Sequence, residues 1–423
     1  MTPLPGAPFL HRRGTELWLE GVRLADLAAA HGTPLYVYSR GAMRAALAPY
    51  QKALAGRRHL ICYAAKANSS LAVLQTFAAA GCGFDIVSGG ELQRVLAIGG
   101  DPSRVVFSGV GKTSAELHRA LAAGVRCFNV ESESELLALS ETAVAAGKRA
   151  PISLRVNPDV DAKTHPYIST GLRGNKFGIA HERAVAVYRQ AARLPGITVV
   201  GIDCHIGSQV TDRAPYLAAL ERLLDLVEAV EREGMRLSHI DLGGGLGITY
   251  TDETPPAADE LIGAMLARID ARGHGHREIL VEPGRSLVGN AGVLLARVLV
   301  LKRGGERNFC IVDAAMNDLV RPAMYDAWMG ITPCALRDDA PELWDVVGPI
   351  CESGDWLGRQ RSLAIAEGDL LAVTSAGAYA MAMASNYNSR PRAAEVMVEG
   401  AAAHLIRQRE TIDSLFTGER TID

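Results

Sequence analysis

The sequence predicts an α/β protein: a (β/α)8 barrel of the TIM type that carries a C-terminal β-rich domain. Two observations predict the barrel. From Leu35 onward, short apolar segments alternate with stretches rich in Ala, Leu, Glu and Arg, the pattern of parallel strands joined by crossover helices. Eight such segments follow one another, and eight βα repeats suit a closed barrel rather than an open doubly wound sheet. A third observation predicts the second domain. After Gly284 the chain turns to longer β-like runs at 293–302, 308–313, 369–375 and 395–399, with little helical periodicity.

Taken in order, residues 16–19 with Val22 suggest a short strand or hairpin, and residues 24–31 a short helix closed by Gly32 and Pro34. The candidate barrel strands are 60–65, 83–87, 104–108, 126–130, 152–157, 199–205, 239–242 and 279–282. Amphipathic helices are expected between them, at 69–80, 91–98, 114–123, 132–146, 181–194 and 216–233. The barrel is therefore assigned to residues 35–285, and residues 1–34 are expected to join 286–423 in the β-rich domain.

At 423 residues, 48% hydrophobic and 22% charged, the chain has the make-up of an ordinary globular protein. A net charge of -3 without a basic run gives no reason to expect nucleic acid or an anionic membrane as partner. The start, Met-Thr-Pro-Leu-Pro-Gly, lacks a signal-peptide pattern, and no apolar run is long enough to span a bilayer, so a cytoplasmic location is expected. The seven cysteines show no CxxC pairing and read mostly as small core residues; no metal site is expected.

The barrel makes a sharp demand on the chemistry, because active sites in this fold lie at the C-terminal ends of the strands. The unusual polar residues meet it. The first strand closes on Lys66, Asp85 lies near the end of the second, Arg155 and Asn157 end the fifth, and His205 ends the sixth. The seventh runs into Gly243, Gly244 and Gly245, and the eighth into Glu282, Pro283, Gly284 and Arg285. Each group on its own has a bland alternative: a solvated lysine, a structural histidine, a tight turn, a Glu282–Arg285 ion pair. Together they have roles if the ligand is pyridoxal phosphate. A lysine removed from water has a depressed pKa, and its free amine can form a Schiff base with an aldehyde. Successive glycines let backbone N–H groups approach a phosphate closely. Glu282 would be costly to bury alone and needs a cationic partner, which a protonated pyridine nitrogen would supply.

The β-rich domain adds a second constellation. Cys351, Glu352, Ser353, Gly354 and Asp355 put a thiol beside two carboxylates. Ser375 to Tyr379 end a strand with a hydroxyl group that could reach a phosphate. Arg321 and Tyr325, four apart, would share a helical face suited to gripping a carboxylate. The loop between Asn157 and Gly178, with Asp159, Asp161, His165 and Lys176, has the Gly and Pro content of a mobile segment.

At these residues the chain resembles the diaminopimelate decarboxylases, in the fold-type III group of pyridoxal-phosphate enzymes that also holds alanine racemase and the ornithine and arginine decarboxylases. The resemblance runs over nearly the whole chain. It is carried by Tyr63 to Asn68, His205 to Gln209, Gly243 to Gly247, Glu282 to Arg285, Met316 to Pro322, Cys351 to Asp355 and Gly377 to Tyr379. The resemblance implies an alanine racemase-like fold and a decarboxylation of meso-2,6-diaminopimelate to L-lysine. It implies that Lys66 binds the cofactor covalently and that His205 stacks on its ring. Ser208, Gly243, Gly244, Gly245, Glu282, Gly284, Arg285 and Tyr379 would bind phosphate and pyridine. Arg285, Arg321 and Tyr325 would hold the distal carboxylate of the substrate, Glu352 its distal ammonium, Tyr379 would also bind substrate, and Cys351 would reprotonate the α carbon. In the family, Cys351 and Glu352 come from the partner subunit of a homodimer with shared active sites.

Three other readings compete. A racemase of the same barrel group favours a weaker electron sink than Glu282 implies. A decarboxylase of ornithine or arginine has no use for Arg321 and Tyr325 as a carboxylate clamp. A protein that only carries pyridoxal phosphate would not invest more than about a hundred residues in a β domain with its own polar cluster.

Overall fold

The computed structural model describes residues 4–161, 170–171 and 174–422. Position His165 of the loop noted above lies outside them. Two compact units account for the chain: residues 46–248 with 254–286, and residues 1–45 with 249–253 and 287–423.

The first unit is a closed parallel barrel. Its strands are β1 (His59–Ala64), β2 (Gly83–Ile86), β3 (Val105–Phe107), β4 (Cys127–Val130), β5 (Ala150–Asn157), β6 (Ile197–Asp203), β7 (His239–Asp241) and β8 (Glu278–Val281). All eight predicted strands are present, and the sheet closes because β8 pairs with β1 and β4 with β5. The strands are short, nearly continuous apolar runs, as expected where both faces are covered. Leu60, Cys62, Val106 and Leu280 fill the interior.

Helix starts in the first half of the barrel share a local signal. Ser88, Thr113 and Ser132 each accept a hydrogen bond at the side chain from the backbone N–H of a glutamate three residues on, Glu91, Glu116 and Glu135. At Thr113 the glutamate answers with its own carboxylate, completing a capping box, and Gly124 closes that helix in the left-handed conformation. The sharp starts at Ser88 and Ser132 set their helices three residues past the ends of β2 and β4.

The second unit is a mixed sheet. Gly292–Lys302 is its long strand, antiparallel to Leu35–Ser39, Phe309–Val312 and Leu370–Val373. Leu35–Ser39 pairs in parallel with Ala394–Glu399, so the stretch that sequence pattern places at the opening of the barrel is instead an inner strand of the mixed sheet. All five of its residues are buried, and no alternation marked it as foreign to the βα repeats that follow. Leu10, Leu17, Leu19, Leu24 and Leu27 of the N-terminal hairpin and helix pack on Leu35, Val37, Val293, Leu295 and Val396.

Candidate active site

In the barrel unit, the C-terminal strand ends carry the polar groups. Lys66 sits in a single 3-10 turn, Ala65–Ala67, just past β1 rather than within it. Its Nζ forms an ion pair with Asp85 of β2, whose side chain is fully buried. Arg155, near the end of β5, is buried and donates to Glu131 Oε1 at 3.0 Å, with its guanidinium 5.0 Å from the Phe177 ring. Glu131 also accepts from the Gly109 and Gly178 N–H groups at 2.8 and 3.0 Å.

His205 lies two residues beyond β6. Its Nδ1 accepts a hydrogen bond from the Gly244 N–H at 3.2 Å. Burial, then the positive charges of Arg155 and Lys66, hold its pKa well below the usual histidine value, so the ring is neutral. The glycines after β7 are required by geometry. Gly243 and Gly245 take φ of +65° and +98°, while a Cβ on Gly244 would collide with the Glu282 carbonyl oxygen. Gly284 approaches the Lys66 turn so closely that a Cβ would stand 3.0 Å from Ala64 Cβ and 3.1 Å from Ala67 Cβ. Arg285 Nη2 donates to Ser208 Oγ at 3.0 Å.

Glu282 sits among carboxylates: Glu282, Asp203 and Asp241 each bring an oxygen to within 4.8 Å of the others. Asn129 Nδ2 donates to Glu282 Oε1 at 3.3 Å. Burial, then Asp241, Asp85 and Asp203, push the Glu282 carboxyl well above the usual range, with Lys66 opposing. Asp203 and Asp241 were missed by pattern reasoning. The available signal was an aspartate closing an apolar strand in both β6 and β7.

These residues fit pyridoxal phosphate. A lysine amine, a neutral aromatic ring, a glycine cradle that no side chain could share and a buried acid in need of a positive partner converge at one barrel rim.

In the mixed-sheet unit, Arg321 and Tyr325 do share the short helix Arg321–Tyr325; the buried guanidinium lies 5.3 Å from the Tyr325 ring and 5.9 Å from the Tyr250 ring. Asp355 ties its turn together by accepting from the N–H groups of Met316 and Ile350, both at 2.7 Å. Cys351 is the one exposed cysteine among the described residues, and Glu352 accepts from Tyr387 Oη at 2.8 Å. Ser375, a candidate phosphate hydroxyl, is engaged with Asn290 Oδ1 at 2.9 Å inside its own unit. Tyr379 holds a φ of +52°, a conformation that a bulky side chain adopts only under constraint.

Residues 40–289 match the family model described as pyridoxal-dependent decarboxylase, pyridoxal binding domain. The diaminopimelate decarboxylase of Pseudomonas aeruginosa is 58% identical over 408 residues, covering 96% of this chain and 97% of that protein. That of Vibrio cholerae is 55% identical, covering 98% and 99%. The chain belongs to the diaminopimelate decarboxylase family. The crystal structure of the M. jannaschii diaminopimelate decarboxylase in complex with L-lysine superposes with a TM-score of 0.94 at 36% identity, over 99% of each chain. All the barrel residues above fall inside the pyridoxal-binding match. Arg321, Tyr325, Cys351, Glu352 and Tyr379 lie beyond it, in a part that the full-length diaminopimelate decarboxylase relatives span.

Proposed function

We propose that this chain decarboxylates meso-2,6-diaminopimelate to L-lysine and CO2, the last step of lysine biosynthesis, with pyridoxal phosphate as cofactor. The observation that carries this reading is 58% identity over nearly the whole chain to a diaminopimelate decarboxylase. The rim of the barrel is chemically suited to that cofactor.

Bound pyridoxal phosphate supplies the electron sink for the charge left on the α carbon when CO2 departs. The remaining work falls to the chain. Lys66 Nζ, held by Asp85, is the covalent anchor. Gly243, Gly244 and Gly245, whose lack of side chains opens the loop to the phosphate, bind it together with Ser208, Gly284, Arg285 and Tyr379. His205, neutral and fixed through Nδ1, presents a ring face for stacking. Glu282 holds a proton at the ring nitrogen. Arg285, Arg321 and Tyr325 would take the distal carboxylate and Glu352 the distal ammonium, with Tyr379 also binding substrate, which would orient the scissile bond and exclude plain lysine or ornithine. The Cys351 thiol gives the α carbon its proton. A homodimer with shared active sites and a cytoplasmic location complete the reading. Among the described residues, no helix is long and apolar enough to cross a membrane.

The deciding experiment measures CO2 release by the purified protein with pyridoxal phosphate, offered meso-diaminopimelate, the L,L isomer, L-lysine, L-ornithine or L-arginine. Release from meso-diaminopimelate alone, with L-lysine as product, is expected. Release from ornithine or arginine would overturn the roles of Arg321, Tyr325 and Glu352.

A further inference from the structure

We propose that Lys112 is a positioning residue for the cofactor site: its buried ammonium bridges β3 and β4 where their pairing stops, and so fixes Asn129, whose amide donates to Glu282. The proposal rests on the reading of Glu282 as the partner of the ring nitrogen and goes beyond it.

The strand β3 is only three residues long, and its register with β4 ends at the pair Phe107 and Phe128. Asn129 is the next residue of β4. On the other side β4 goes on pairing with β5 through Asn129 and Val130, so the gap opens toward β3. Lys112 fills it. Its Nζ donates to the backbone carbonyls of Gly109 and Asn129, both at 2.8 Å, and to Glu135 Oε1 at 2.7 Å. An ammonium has three protons, and all three are committed. With the side chain 1% exposed, solvent cannot stand in for these bonds if the lysine is removed.

The lysine belongs to a connected set. Glu135 Oε2 accepts the Glu131 N–H at 3.0 Å, and Glu131 Oε1 accepts the Gly109 N–H at 2.8 Å and Arg155 Nη1 at 3.0 Å. Two cations and two carboxylates thus balance one another along the ends of β3, β4 and β5, and none of the four side chains is more than 9% exposed. Buried charges of this kind persist only while each keeps its partner, so loss of the Lys112 ammonium strands Glu135 as well as two carbonyls. Asn129 sits at the centre. Its carbonyl is held by Lys112, while its Nδ2 donates to Ser108 Oγ at 3.2 Å and to Glu282 Oε1 at 3.3 Å. Ser108 immediately precedes Gly109, the other carbonyl that Lys112 holds. Both ends of the amide's support therefore adjoin one ammonium, and that amide supports the charge on Glu282.

The test compares the wild-type holoenzyme with Lys112→Met, Asn129→Ala, the double variant and Glu282→Gln. Visible absorption reads the bound cofactor, dilution reads the rate of its loss, and denaturant melts read stability. Lys112→Met keeps the apolar stem and removes all three donors. It should shift the visible band in the direction that Asn129→Ala does and speed cofactor loss roughly fivefold. The double variant should lose cofactor within about twofold of Asn129→Ala, because the lysine acts through that amide. Losses that multiply would overturn the assignment. So would a Lys112→Met protein that melts earlier with its visible band unmoved, which is how a lysine that only braces the barrel would behave. If Lys112→Met does not fold, Lys112→Gln, which keeps two donors, is read in its place: a smaller shift in the same direction is expected, and no shift overturns the proposal. A band unmoved in Glu282→Gln would mean that the Glu282 reading has failed and that this proposal falls with it; a shift there with none in Asn129→Ala would mean that only this proposal has failed.

Discussion

His205 Nδ1 accepts the backbone N–H of Gly244 at 3.2 Å, so the ring read as a stacking surface also holds the loop read as a phosphate cradle. An acceptor at Nδ1 requires the neutral imidazole, and burial enforces it. The histidine and the glycines belong to successive strand ends, and neither is fully positioned without the other.

His205→Ala is therefore expected to weaken cofactor retention by roughly tenfold, since the loop loses its lateral hydrogen bond and the site its ring face. Spectral titration of the dialysed protein checks this. Retention equal to wild type would show that the loop holds its shape without the ring.

Gly244→Ala should cost about 1–3 kcal/mol, because the added Cβ must displace the Glu282 carbonyl, which is backbone and has little room to yield. Denaturant melts of wild type and variant read the loss. A stability change within error would mean that the loop and the strand end separate freely.

Lys66→Ala should abolish the label trapped when the holoenzyme is reduced with borohydride, and retained label would place the covalent anchor elsewhere. Cys351→Ala should keep the cofactor's absorption but slow turnover. Unchanged turnover would remove the thiol from proton transfer.

His239 gives a pH-dependent stability. Its ring is buried in the barrel, bonded to Ser153 Oγ at 2.7 Å, and fills space that a Cβ at Gly201 would close. Burial, with Arg126 adding to it, lowers its pKa from 6.5 to about 3. Below pH 6.5 the unfolded chain binds a proton that the folded chain refuses, so stability is full above that value and falls as pH drops toward 3. At pH 5 this one group should cost about 2 kcal/mol. His239→Asn should flatten that part of the stability profile between pH 7.5 and 5; an identical acid loss in both proteins would assign the effect to other groups.

Much of the barrel was legible because each strand is a short apolar run and each helix an amphipathic one, so periodicity alone separates them. Lys66, His205, the glycines and Glu282 stood out because polar or conformationally special residues closed apolar runs. Leu35–Ser39 was misplaced because an inner strand of a mixed sheet has the same buried pattern as a barrel strand, and only its pairing with Gly292–Lys302 and Ala394–Glu399 reveals it. Asp203 and Asp241 escaped notice because one aspartate at the end of a strand is unremarkable until its neighbours are known.

What the sequence determined by itself was the alternation of elements, the chemical types at the strand ends and the family they belong to, because these depend on composition and spacing along one chain. Which of those groups meet was decided only in three dimensions. Closing the barrel sets Asp203, Asp241 and Glu282, at the ends of three strands, within 4.8 Å of one another, and mutual repulsion in a buried site then makes their protonation a property of the fold and of no single residue.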